Sequence, residues 1–205
     1  MGGSEALFDM ELICNSRFAN QNRREMLKSQ DLVVLCRLLI ARRRAEVISY
    51  PLLSQWTGLS ASETHASVRR SLAGGLLTRF REEAVSGFAI NPVISACEEF
   101  LFHGLKYVFP LSFSSVVRGV PTGTNAPGMN EGNLSVLEAE AWVWPHAEGS
   151  MRGIGITPLY RSVPDVALKD ETLHQALASL DLIRSSSHRL RRLGEEWLKT
   201  QLLRP

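Results

Sequence analysis

Three cysteines in 205 residues are few, and Cys14, Cys36 and Cys97 lie far apart with no CxxC pair. An odd, scattered set argues against a disulfide framework and a cysteine-built zinc site. It fits reduced thiols in a cytoplasmic protein. The five histidines (His65, His103, His146, His174 and His188) show no HExxH or comparable ligand spacing. No long apolar run occurs, so no membrane-spanning helix is expected. The first residues lack the basic-then-apolar order of a secretory signal. A GxSxG elbow, a P-loop and a dinucleotide fingerprint are missing as well. Neither an enzyme nor a cofactor is therefore expected.

What is present suffices for a real core, since 44% of the residues are hydrophobic and 21% charged. Length allows one large domain or two small ones. The net charge of +2 conceals a division along the chain. Residues 26–91 carry 9 basic and 5 acidic side chains, net +4, whereas residues 92–183 carry 5 and 10, net −5. Residues 184–205 are again +4. A basic block is the first electrostatic requirement of a phosphate-binding surface, although a solvated helix face has the same composition.

Periodicity sharpens from Ser29. Leu32, Leu35, Cys36, Leu38 and Leu39 fall at helical spacing after a cap at Ser29 or Asp31, and Arg42, Arg43 and Arg44 suit the helix's negative end. Ser49-Tyr50-Pro51 opens a short helix that Gly58 stops, and Leu59 is the apolar plug that follows. Ser60-Ala61-Ser62-Glu63 is a capping box, and the helix it starts runs to Gly74-Gly75. Leu76–Arg81 and Phe88–Asn91 then read as strands about the polar turn Glu82–Gly87.

Asn91-Pro92 restarts a helix that reaches His103-Gly104. Pro, Gly, Ser, Thr and Asn dominate residues 110–135, which predicts a long loop. Residues 141–145 and 152–157 read as a β-hairpin, and two helices, near 170–185 and 187–203, close the chain. The expected organisation is an arm over 1–28, a winged helix-turn-helix domain over 29–104, a Pro/Gly-rich loop over 105–140, and a hairpin with C-terminal helices over 141–205. The fold class is α+β, mainly helical. The last region is expected to dimerise or bind a partner, through Leu173, Leu177, Leu180 and Ile183 on one helix and Leu190, Leu193, Trp197 and Leu202 on the other.

The stretch from Leu59 to Leu77 resembles the recognition helix of bacterial MarR-like winged-helix regulators. It has a polar cap, a small polar cluster, the consecutive cations Arg69 and Arg70, and Gly75-Leu76-Leu77 leading to the wing. The likeness covers residues 29–91. Thr64 and Ser71 stand where that pattern has apolar, core-facing residues, and the Thr64 hydroxyl can bond a carbonyl one turn back.

The resemblance implies a groove-facing set of Ala61, Ser62, Glu63, His65, Ala66, Arg69 and Arg70. Ser60 and Ser62, at a helix N-terminus, suit a phosphate. Glu63 serves either the cap or a cytosine amino group, and His65 a base edge or a phosphate. Arg79 and Arg81, two apart on a strand, share a face toward the backbone or minor groove. The alternative for all four arginines is solvated surface charge.

The implied function is transcription regulation by a homodimer bound to double-stranded DNA at a pseudo-palindromic site. A winged-helix adaptor within a toxin–antitoxin, defence or other multiprotein complex is the alternative, with the acidic middle region (residues 92–183) and the Pro/Gly-rich loop as docking surfaces. A small effector is expected, if anywhere, near Tyr107, Arg118, Trp142, Trp144 and Tyr160.

Overall fold

A computed structural model describes residues 26–79, 90–129 and 141–204. Residues 1–25 of the expected arm, Arg81, the turn Glu82–Gly87 and the segment 130–140 lie outside them.

Apolar all round except at Arg37, which pairs with Glu46, the stretch from Leu32 to Ala41 is stable as a helix only where neighbours cover it. It forms the middle of α1 (Ser29–Arg43), and each residue from Asp31 to Ala41 is buried. The Asp31 carboxylate accepts the Lys28 backbone N–H at 2.8 Å, which satisfies one amide left over at the helix start. α2 (Tyr50–Thr57) begins at Ser49, whose hydroxyl accepts the Leu52 N–H, and ends at Gly58 with φ 66°. α3 (Ala61–Ala73) begins at the Ser60–Glu63 capping box. β1 (Leu77–Arg79) then pairs antiparallel with β2 (Ile90–Pro92), Leu77 opposite Pro92 and Arg79 opposite Ile90. The helix that follows is α4 (Ile94–Glu99), a π turn at Phe100–Gly104 and α5 (Leu105–Val108).

The expected loop over 105–140 is corrected by the next element. Residues Phe113–Thr122 form β3, ten residues long. Gly119 and Pro121 within it mark a close backbone approach rather than a loop. A Cβ on Gly119 would lie 2.1 Å from the Trp144 carbonyl oxygen, so only glycine lets the strands meet there.

The expected hairpin is corrected too. β4 (Trp142–Pro145) and β5 (Met151–Ile156) are strands, but both run antiparallel to β3 and meet each other in parallel, closing a small three-stranded barrel. The intervening β3 supplies the antiparallel partner that a hairpin would have needed from within.

α6 (Val163–Ala167), α7 (Glu171–Arg184) and α8 (His188–Leu198, extended by a π turn at Lys199–Leu203) complete the chain. Leu173, Leu177, Leu180 and Ile183 of α7 are fully buried within the chain, in the same apolar cluster as α1. α1 touches α2, α3 and β2, and also α7. The stripe on α7 expected to join two subunits is thus consumed internally, and the 29–104 and 141–205 regions share one core.

Buried polar groups tie α7 to the strands. Asp181 accepts from Thr122 Oγ1 and Trp144 Nε1, each at 2.8 Å, and from Arg184 Nη1 at 2.7 Å. Arg184 Nε and Nη2 go on to the Phe109 and Pro110 carbonyls. The result is mixed α+β, largely helical, with small sheets. Among the described residues no helix is long and apolar enough to cross a membrane.

Candidate nucleic-acid interface

On a helix, residues three and four apart share a face. Ser62, His65, Ala66 and Arg69 share one along α3, and all but the half-buried Ala66 are exposed. With Tyr50 of α2 and Arg79 of β1 they line one concave surface of about 500 Å³. The His65 ring stacks on Tyr50, centroids 3.5 Å apart and planes 21° from parallel, which fixes the imidazole against the floor of this surface. Tyr50 was not among the residues singled out from sequence. It stands alone beside Pro51, with no periodicity to mark it.

The opposite face of α3 packs inward through Thr64, Ser67, Val68 and Ser71. Thr64 Oγ1 donates to the Ser60 carbonyl at 3.0 Å, one turn back. Ser67 and Ser71 bury hydroxyls that have no hydrogen-bond partner among the described residues.

Arg70 departs from the expected groove-facing set. Successive helical residues are about 100° apart, so Arg69 and Arg70 cannot both face one groove. Arg70 turns inward, with its side chain 5% exposed, and forms a two-point ion pair with Asp31 of α1. Such a planar fork on a carboxylate is strongly oriented, and it leaves Arg70 unavailable to a ligand on the outer face.

Glu63 is likewise engaged. Its carboxylate accepts from the Tyr160 hydroxyl at 2.5 Å, the Ser60 backbone N–H at 3.0 Å and the Ser60 hydroxyl at 2.8 Å. These bonds, Tyr160's foremost, hold its carboxyl down at about 2. Its acceptors serve the cap and the Tyr160 contact rather than a base edge, and the Ser60 hydroxyl is spent on the same cap. Tyr160 lies in the loop after β5, and the neighbouring Ser162 donates to the Thr57 carbonyl at 2.7 Å. This loop clamps the turn between α2 and α3, a contact 97 residues distant in sequence that no local signal announces.

Of the eight candidate residues, Ser62, His65, Arg69 and Arg79 converge, Ser60 and Glu63 form the cap, Arg70 is buried, and Arg81 lies outside the described residues. The aromatic group expected around an effector does not assemble. Trp144 is buried against Asp181, Tyr160 bonds Glu63, Arg118 donates to the Gly149 carbonyl, and Tyr107 is 75% exposed. Among the described residues no three His, Cys, Asp or Glu side chains gather as a metal site. Comparison of the chain with protein-family models, curated proteins and solved structures finds no match in any of the three.

Proposed function

We propose that residues 29–92 form a winged helix-turn-helix that binds double-stranded DNA through the outer face of α3. The observation that carries this reading is the convergence of Ser62, His65, Arg69 and Arg79 on one concave surface. A major groove about 12 Å wide admits a helix. Arg69 and His65 can then reach base edges or phosphates, while Arg79, on the strand beside the helix, meets the backbone. With only two arginines on the described part of this face, one module supplies modest affinity, so tight binding calls for a second subunit. That pairing would use a surface other than the buried stripe of α7.

Selection from a random duplex pool, followed by titration of the best sequence at several salt concentrations, tests the reading. The expected result is a retained duplex whose log affinity falls with log salt. In Arg69→Ala/Arg79→Ala the slope becomes shallower by about 1.8 if each arginine meets one phosphate. No retention at low salt, or identical binding by the double variant, overturns it.

A second reading, a protein-docking adaptor, has its own observation. Tyr107 and Val108 at the end of α5, and Phe113 and Val116 in the first half of β3, are all more than half exposed. Large apolar side chains left in water mark contact surfaces. A stoichiometric partner that copurifies with the chain and is lost on Phe113→Ser/Val116→Ser would favour this reading over DNA binding.

A further inference from the structure

The outward line of α3 holds one long side chain. Seven residues bring a helix to within about 20° of its starting direction, so Ser62 and Arg69 point the same way, away from the buried Thr64, Val68 and Ser71. Ala66 and Ala73 lie on the same line, one turn before and one turn after Arg69. Their methyl groups let the helix approach a groove floor closely while Arg69 projects beyond them. The imidazole of His65, stacked on Tyr50, lies to one side. The Arg69 guanidinium has no ion pair or hydrogen bond among the described residues, whereas its neighbour Arg70 is paired with Asp31.

What α3 lacks narrows what it can read. Adenine is recognised in the major groove by the amide of Asn or Gln, and α3 has neither. Cytosine offers an amino group and needs a free acceptor. The only carboxylate of α3, Glu63, already accepts from Ser60 and Tyr160. The Ser62 hydroxyl both donates and accepts, so it distinguishes none of the bases. Thymine's methyl can meet an alanine, but only as one small apolar contact. Guanine presents two acceptors, O6 and N7, and the free fork of Arg69 matches them with two N–H donors. Arg79, set to one side on β1, meets the backbone instead.

Resting on the reading of α3 as a groove-binding helix, we infer that Arg69 is a specificity-determining residue and that it selects guanine. The favoured duplex carries a guanine at the position facing Arg69, held through O6 and N7 by the guanidinium fork. Arg79 contributes a phosphate contact and no base preference. Of the slope change of about 1.8 that two phosphate contacts would give, about 0.9 then belongs to Arg79.

The full chain and its Arg69→Gln, Arg69→Lys and Arg79→Gln variants are titrated with the best duplex from a random pool. Each is also titrated with the same duplex after every guanine in turn is replaced by adenine. For the unaltered chain one such replacement should weaken binding about tenfold or more. Arg69→Gln should reverse the preference at that position alone, because its amide pairs with adenine, and Arg69→Lys should keep guanine. Arg79→Gln should weaken all duplexes by the same factor and leave the preference in place. Arg69 is exposed, so Arg69→Gln should keep the fold, read from its circular dichroism. If Arg69→Gln weakens every duplex equally, Arg69 meets a phosphate; guanine selection is overturned while DNA binding by α3 stands. A retained duplex with no guanine preference, or with one that Arg69→Gln leaves unmoved, has the same consequence. If no duplex is retained at low salt, DNA binding by α3 fails and guanine selection falls with it.

Discussion

Arg70 of α3 and Asp31 of α1 face each other in the interior as a two-point pair, Nε to Oδ2 at 2.7 Å and Nη2 to Oδ1 at 2.5 Å. The same Asp31 oxygen that receives Arg70 Nε also takes the Lys28 amide. One carboxylate therefore starts the central helix and fastens the outer one to it. Removing Arg70 strands that charge.

Arg70→Ala should lower unfolding stability by about 3–5 kcal/mol, the usual cost of an uncompensated buried charge. Arg69→Ala, one residue earlier and exposed, should change stability little. Urea denaturation of the two variants side by side decides the assignment; equal and small effects would contradict the buried pair.

Glu63 gives a pH prediction. Its carboxyl is held at about 2, below the ordinary 4.5, chiefly by the Tyr160 hydroxyl. A depressed folded value means the unfolded chain binds the proton more readily. The stabilisation from this group is therefore complete above about pH 4.5 and is lost as the pH falls toward about 2. Carbon-detected NMR should show the Glu63 midpoint moving up in Tyr160→Phe. A midpoint that stays in place would remove Tyr160 as the principal cause.

Ser71 is 1% exposed and its hydroxyl has no partner among the described residues. Deleting an unsatisfied buried hydroxyl relieves its desolvation cost. Ser71→Ala should stabilise the chain by about 1 kcal/mol, measured by denaturant unfolding. A clear loss of stability would mean that the hydroxyl is satisfied.

Gly194 lets α8 cross α7 at near contact, since an added Cβ would lie 2.5 Å from the Ser179 carbonyl oxygen. Backbone does not yield as a flexible side chain does. Gly194→Val should therefore cost about 1–3 kcal/mol through overpacking. An unchanged denaturation midpoint would show that the two helices do not pack in this way.

The beginnings and ends of α2 and α3 were legible in the sequence, because caps and stops act within a single turn. α1 instead takes Lys28 as its N-cap, in place of the expected Ser29 or Asp31, and holds Asp31 in its first turn. Ser49, Ser60, Glu63 and Gly58 do locally what their chemistry predicts. On α3, Thr64 bonds one turn back as its side chain allows. The order of helices and paired strands from 29 to 92 followed from such signals together with hydrophobic period.

Tertiary structure alone decided the rest. β3 has Gly and Pro in its second half and exposed Ser114 and Ser115 in its first, so its composition resembles a loop; its partners in β4 and β5 lie 20 (Thr122 to Trp142) to 43 (Phe113 to Ile156) residues further on. Arg70 is a surface cation by composition, and it is buried only because Asp31, 39 residues away, meets it. Asp181 in an otherwise apolar stripe becomes tolerable once Thr122 and Trp144 are brought to it from two strands. A buried charge is stable only beside its partner, and partners distant in the chain come together only when the core closes.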